Sequence, residues 1–99
     1  MNHYIIRYSY TDDRDGRMAL LDAHKGYLQE LADRGVNVVS GAVGPDEAPG
    51  AVLVFRAASK EEAGSLTAGD PFVRGGFVSD VAVTAFIPMS GELAAQVRG

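Results

Sequence analysis

The spacing of apolar residues changes period several times along the chain, and each change marks an element. Residues 3 to 10, His-Tyr-Ile-Ile-Arg-Tyr-Ser-Tyr, alternate and are rich in aromatic and β-branched types, which predicts a first strand. Thr11-Asp12-Asp13 then offers N-cap candidates, with acidic residues where a helix dipole favours them. From Arg14 to Arg34 the period is helical: Leu21, His24, Leu28 and Leu31 step by three, four and three along one face, and Met18, Leu20 and Tyr27 widen the stripe. Arg34 followed by Gly35 is a helix stop.

Val36 to Val43 reads as a second strand closed by Gly44-Pro45, and Asp46 to Gly50 as a loop. Ala51 to Ala57 is a third strand. Ser59-Lys60-Glu61-Glu62 is a capping box that opens a shorter helix through Leu66 to Ala68. Gly69 precedes Asp70-Pro71-Phe72-Val73-Arg74, which predicts a second short helical turn capped by Asp70 with Pro71 at its first position. Asp80 to Ile87 is a fourth strand. Residues 88 to 99 form a tail with a partial helix over Gly91 to Val97. The expectation is one domain over residues 1 to 99.

The order β-α-β-β-α-β predicts an α+β, ferredoxin-like fold: a four-stranded antiparallel sheet with both helices on one face. That leaves the second sheet face to be explained. Val52 and Val54 oppose Ala51, Leu53 and Phe55. Ala82, Thr84 and Phe86 oppose Val81, Val83, Ala85 and Ile87, and Ile5 opposes Tyr4, Ile6, Tyr8 and Tyr10. Neither set is polar enough for water, so the second face calls for a lid. A second copy packed about a two-fold axis is the simplest lid, and a homodimer is expected. The alternative is that the tail folds back, but it is short and polar for covering four strands.

Composition narrows the function. The net charge of −4, with only two lysines and seven scattered arginines, argues against sequence-independent nucleic-acid binding and against anionic membranes. It does not exclude an anionic small molecule, which one or two placed arginines can serve. With no cysteine, disulfides, thiol catalysis and thiolate metal sites are excluded. No signal-peptide pattern and no membrane-length apolar run is present, so a cytoplasmic location is expected. Phosphate-loop and dinucleotide glycine patterns are absent, as is a nucleophile elbow. His3 and His24, the two histidines, lack metal-ligand spacing, so neither a metal nor a cofactor is expected.

His24 is the chemical outlier, a histidine in an apolar helical stripe. Alone it reads as a packed residue with its ring nitrogens satisfied. Asp70 alone reads as a helix cap. The architecture joins them: with two helices side by side on the sheet, the end of the second approaches the middle of the first. An aspartate there accepts the His24 Nδ1 proton and orients the ring for general acid/base work. Arg7 falls among apolar neighbours and serves a substrate carboxylate or reaches solvent at the edge. Ser40-Gly41 brings a hydroxyl and bare backbone near the site, or reflects a bulge. Phe72 adds a candidate substrate contact. Tyr8 and Tyr10 read as core or interface aromatics.

The run Ala23-His24-Lys25-Gly26-Tyr27-Leu28, the strand ending in Ser40-Gly41, and Ala68-Gly69-Asp70-Pro71-Phe72 together resemble the YciI-like (YCII-related) family over residues 3 to 88. The resemblance implies a dimeric α/β barrel in which two sheets pack face to face. It also implies a pocket lined by a histidine and an aspartate that fall on His24 and Asp70. The wider barrel superfamily includes isomerases, lyases, dehalogenating enzymes, cofactor-free monooxygenases and haem-degrading enzymes. Haem is not expected here, since the family's pocket is small and no further histidine is available. The expectation is a small-molecule enzyme of isomerase, lyase or dehalogenase type. It would use His24 and Asp70 as catalytic residues on a small cyclic or aromatic-derived metabolite, with Arg7, Ser40, Gly41 and Phe72 as substrate-binding positions. The alternative is a non-catalytic ligand-binding or accessory domain.

Overall fold

The computed structural model describes residues 1 to 98, with the side chain of Arg98 excepted. Its elements are β1 (Asn2–Tyr10), α1 (Arg14–Met18), α2 (Leu21–Asp33), β2 (Asn37–Ala42), β3 (Gly50–Ala57), α3 (Lys60–Thr67), α4 (Pro71–Arg74), β4 (Val78–Phe86) and α5 (Ala94–Arg98). The strands form one antiparallel sheet in the order β2-β3-β1-β4, the ferredoxin-like arrangement.

Alternation along β1 and β3 decides which side each residue takes. Tyr4, Ile6 and Tyr8 from β1 and Ala51, Leu53, Phe55 and Ala57 from β3 are buried under the helices, with Leu31 of α2 and Ala63 of α3. Ile6, Leu31, Leu53 and Phe55 are fully or almost fully covered, and burial of each such side chain contributes about 1.5–3 kcal/mol. Gly35, at φ 77°, ends the α2 segment in the left-handed conformation that glycine tolerates.

The long helix expected over Arg14 to Arg34 is two helices. At Leu20 the backbone leaves helical angles (φ −103°, ψ 8°), and its N–H bonds the Arg17 carbonyl three residues back at 3.0 Å. Neither glycine nor proline marks the break. It follows the packing of Arg17, which is buried against the Tyr10 ring while α2 lies along the sheet.

α3 begins at the predicted cap. Ser59 Oγ accepts from the Glu62 N–H (3.1 Å), and Glu62 Oε2 accepts from the Ala58 N–H (3.2 Å), one residue before the cap. In β2 the ladder slips between Asn37 and Val39, a bulge that leaves Val38 without a register partner.

The sheet face away from the helices is mixed. Val39, Val54, Ile5 and Thr84 form one cross-strand row, and Gly41, Val52, Arg7 and Ala82 form the next. Val39 is 60% exposed and Phe86 38%. The segment after β4 does fold back, but only over one corner. There the Val97 carbonyl accepts from His3 Nε2 (2.8 Å) and Arg56 Nη2 (2.9 Å), two open-face residues, and Ala94 is buried. No helix among the described residues is long and apolar enough to cross a membrane.

Candidate functional site

Asp70 caps α4. Its Oδ1 accepts from the Phe72 N–H at 2.9 Å, and Pro71 occupies the first helical position, where its missing N–H loses nothing. Gly69 lets this turn lie close to α2: a Cβ there would stand 2.5 Å from the Tyr27 hydroxyl and 2.8 Å from its Cζ. Tyr27 in turn donates to the Leu66 carbonyl at 2.5 Å, fastening α2 to α3. Burial is the main reason that its hydroxyl ionises above the ordinary tyrosine range.

The topology brings this cap to the middle of α2. His24 Nδ1 donates to Asp70 Oδ1 at 2.7 Å, and the Tyr8 hydroxyl of β1 donates to Oδ2 at 3.0 Å. Asp70 is fully buried and accepts from three donors, the compensation a carboxylate in an apolar interior requires. Tyr8 ionises far above the ordinary tyrosine range, first because it is buried and then because the Asp70 charge and hydrogen bond oppose a second anion. It therefore remains a donor at neutral pH. With Asp70 holding the Nδ1 proton, the unprotonated nitrogen of a neutral His24 is Nε2, a base.

His24 stacks on Phe72 with ring centroids 3.8 Å apart and planes 3° apart. Phe72 meets Tyr10 edge-on at 5.7 Å, and the Arg17 guanidinium lies over Tyr10 at 4.3 Å. These four side chains line one wall of a cavity of about 550 Å³ between α1–α2 and the β2–β3 half of the sheet. That volume suits a small-molecule ligand, for which pockets run to roughly 300–1,000 Å³. Burial raises the Tyr10 hydroxyl above its ordinary range, with Arg17 pulling the other way.

Ser40, Gly41 and Phe72 all line this cavity, and Ser40 reaches it because its register partner, Leu53, faces the helices. Arg7 does not. Strand alternation puts it on the opposite sheet face, exposed between Val52 and Ala82, so the expectation of Arg7 at the pocket is corrected. The arginine at the cavity is Arg17.

Two further residues escaped the sequence reading. Arg17 is 8% exposed, and its Nε is buried without a hydrogen-bond partner among the described residues. Asn37 donates to the Leu28 carbonyl and to Ser40 Oγ (both 3.2 Å), while its Oδ1 is likewise buried without a partner. A buried polar atom left so costs about 1–3 kcal/mol. The seven-residue step from Arg17 to His24 was the available signal, since it returns a helical residue to the same side. Tyr8 as a third donor to Asp70 had no such signal, because its strand position fits a core aromatic equally well. Among the described residues no group of three or more metal-binding side chains occurs.

Fold and site thus define a ferredoxin-like α+β domain with a histidine–carboxylate pair at a cavity under its helices. The family model for the YCII-related domain matches residues 1–87, and the chain belongs to that family. Among solved structures it is similar to the 5-chloro-2-hydroxyhydroquinone dehydrochlorinase TftG from Burkholderia phenoliruptrix AC1100, in complex with 2,5-dihydroxybenzoquinone. That likeness has a TM-score of 0.71 and 24% identity, covering 85% of this chain and 92% of that one. It is also similar to Rv0793 from Mycobacterium tuberculosis, with a TM-score of 0.53 and 18% identity over 91% of this chain and 96% of that one. At these identities the likeness concerns the fold. No curated protein matches the chain.

Proposed function

We propose that this protein is a small-molecule enzyme in which His24 Nε2 takes and returns a proton while Asp70 fixes the ring and stabilises its charged form. One observation carries the reading. His24 has one nitrogen held by a buried, triply bonded carboxylate, and the ring stands in the wall of a ligand-sized cavity. The fold likeness to a dehydrochlorinase bound to a dihydroxybenzoquinone supports a hydroxylated ring as substrate.

The chemistry is short. Nε2 removes a proton from a ring hydroxyl or from carbon beside a carbonyl. The electron pair left behind moves into the ring. Return of the proton at another carbon is isomerisation; when that carbon bears a halide, it becomes tetrahedral, and loss of a proton from a second, conjugated hydroxyl then drives out the halide, which completes elimination of hydrogen halide. Tyr8 and the Phe72 N–H keep Asp70 in place throughout, and the Phe72 ring keeps the imidazole in one plane.

The working form is a homodimer, in which the open-face rows through Val39, Val54 and Ile5 pack on their counterparts. Halide release from chlorinated hydroxyhydroquinones, followed by ion chromatography under reducing conditions, tests the activity. The expected result is release that falls by about 10²–10⁴-fold in His24→Ala, the share a positioned acid/base group supplies. Equal release by wild type and His24→Ala would refute the assignment.

A further inference from the structure

We infer that the cavity recognises a planar ring bearing an oxygen anion, with Arg17 holding the anion and Asn37 Oδ1 accepting from a second, hydroxyl substituent. This rests on the reading of the cavity as the substrate site and adds the class of ligand it takes.

The chain carries 13 acidic residues and a net charge of −4, yet no carboxylate among the described residues lines this cavity, whose wall includes Arg17 and Lys25. Asp70 lies behind His24, its oxygens already engaged by His24, Tyr8 and Phe72. Arg17 is more than nine-tenths buried and has no ion pair or side-chain hydrogen bond among the described residues. Its face is taken by Tyr10, which leaves the N–H edge of the guanidinium to meet an acceptor.

The second observation is independent. Among the described residues, the buried side-chain polar atoms without a partner are Arg17 Nε and Asn37 Oδ1, and both residues line this one cavity. One is a charged donor and the other a neutral acceptor. Both Asn37 donors are already directed to Leu28 and Ser40, so what remains of the Asn37 side chain is an acceptor only. A ligand that satisfies both carries an oxygen anion and a hydroxyl. The apolar side chains of Leu21, Leu28 and Leu53 and the ring of Phe72, stacked on His24, supply walls for the ring between them.

Calorimetric titration of the wild type with benzoate, the three monohydroxybenzoates and the matching benzamides tests this. The acids and amides share shape and differ in charge. The expected result is at least one hydroxybenzoate binding about tenfold or more tightly than its amide, with that preference lost in Arg17→Gln. That isomer should also bind more tightly than benzoate in wild type but not in Asn37→Ala. Nitrophenol titrated on both sides of its ionisation reads phenolate recognition in the same way.

Amides and neutral phenols binding as tightly as the anions, or Arg17→Gln keeping the preference, overturns the inference. Should Arg17→Gln not fold, the acid–amide contrast in wild type and the Arg17→Lys variant, which keeps charge but not the fork, decide it. Absence of halide release with anion preference intact refutes the elimination reading and supports this one. Release that survives without any preference for anions does the reverse.

Discussion

Replacing Asp70 with alanine removes one side chain from three partners, and its cost can be worked from the structure. The α4 cap alone is worth about 0.5–2 kcal/mol. Beyond it, the His24 Nδ1–H and the Tyr8 hydroxyl lose their acceptor inside the protein, at about 1–3 kcal/mol each. The terms add to about 2.5–8 kcal/mol, which partial relaxation brings down to about 2.5–5 kcal/mol, a large share of the roughly 5–15 kcal/mol that holds a domain of this size. Urea unfolding followed by circular dichroism, at one fixed protein concentration, measures it. Asp70→Asn should cost less, about 1–2 kcal/mol, because its single amide oxygen still caps α4 and accepts from His24, while the Tyr8 hydroxyl must turn to accept from the amide N–H and the charge assistance is lost. A cycle with His24→Ala should show the double variant losing less than the sum of the singles by about 1–3 kcal/mol. A cost for Asp70→Ala within the range of a cap, together with additive singles, would refute the three-partner account.

Three other expectations can be checked alongside. Tyr8 keeps its proton in the folded state where the unfolded chain gives it up, so its contribution is full below about pH 10 and declines above, by up to about 1.4 kcal/mol per pH unit; urea midpoints across the alkaline range should fall less steeply in Tyr8→Phe, and an unchanged slope refutes the burial argument. Gly69→Ala forces a Cβ onto Tyr27 and should cost about 1–3 kcal/mol, partly recovered by Tyr27→Phe, as thermal melts will read. Sedimentation should find wild type dimeric and Val54→Lys, in the central open-face row, monomeric, whereas a monomeric wild type at assay concentration contradicts the dimer.

The element order was legible because period-2 and period-3.6 runs alternate cleanly, and the caps at Ser59 and Asp70 stand where side-chain chemistry requires them. The break at Leu20 was not, since Ala19 and Leu20 are good helix formers and a tertiary contact of Arg17 decides the geometry. The juxtaposition of His24 with Asp70 followed from topology, not from either residue alone. The misplacement of Arg7 was avoidable: if Tyr4, Ile6 and Tyr8 face the helices, their odd-numbered neighbours face away. Arg17 and Asn37 were hidden for a different reason. An unsatisfied atom is defined by everything around it, and one strand or helix read alone does not contain that.

The parallel stack of His24 on Phe72 gives the site a reporter of its own. The imidazole carbon-bound protons sit in the shielding region above a phenyl ring, so their proton resonances should lie upfield of those of the second histidine, His3. A ligand that slides between the rings or tilts Phe72 changes that shielding at once. Occupancy can therefore be followed on two resolved signals of the unlabelled protein, before any substrate or turnover assay exists.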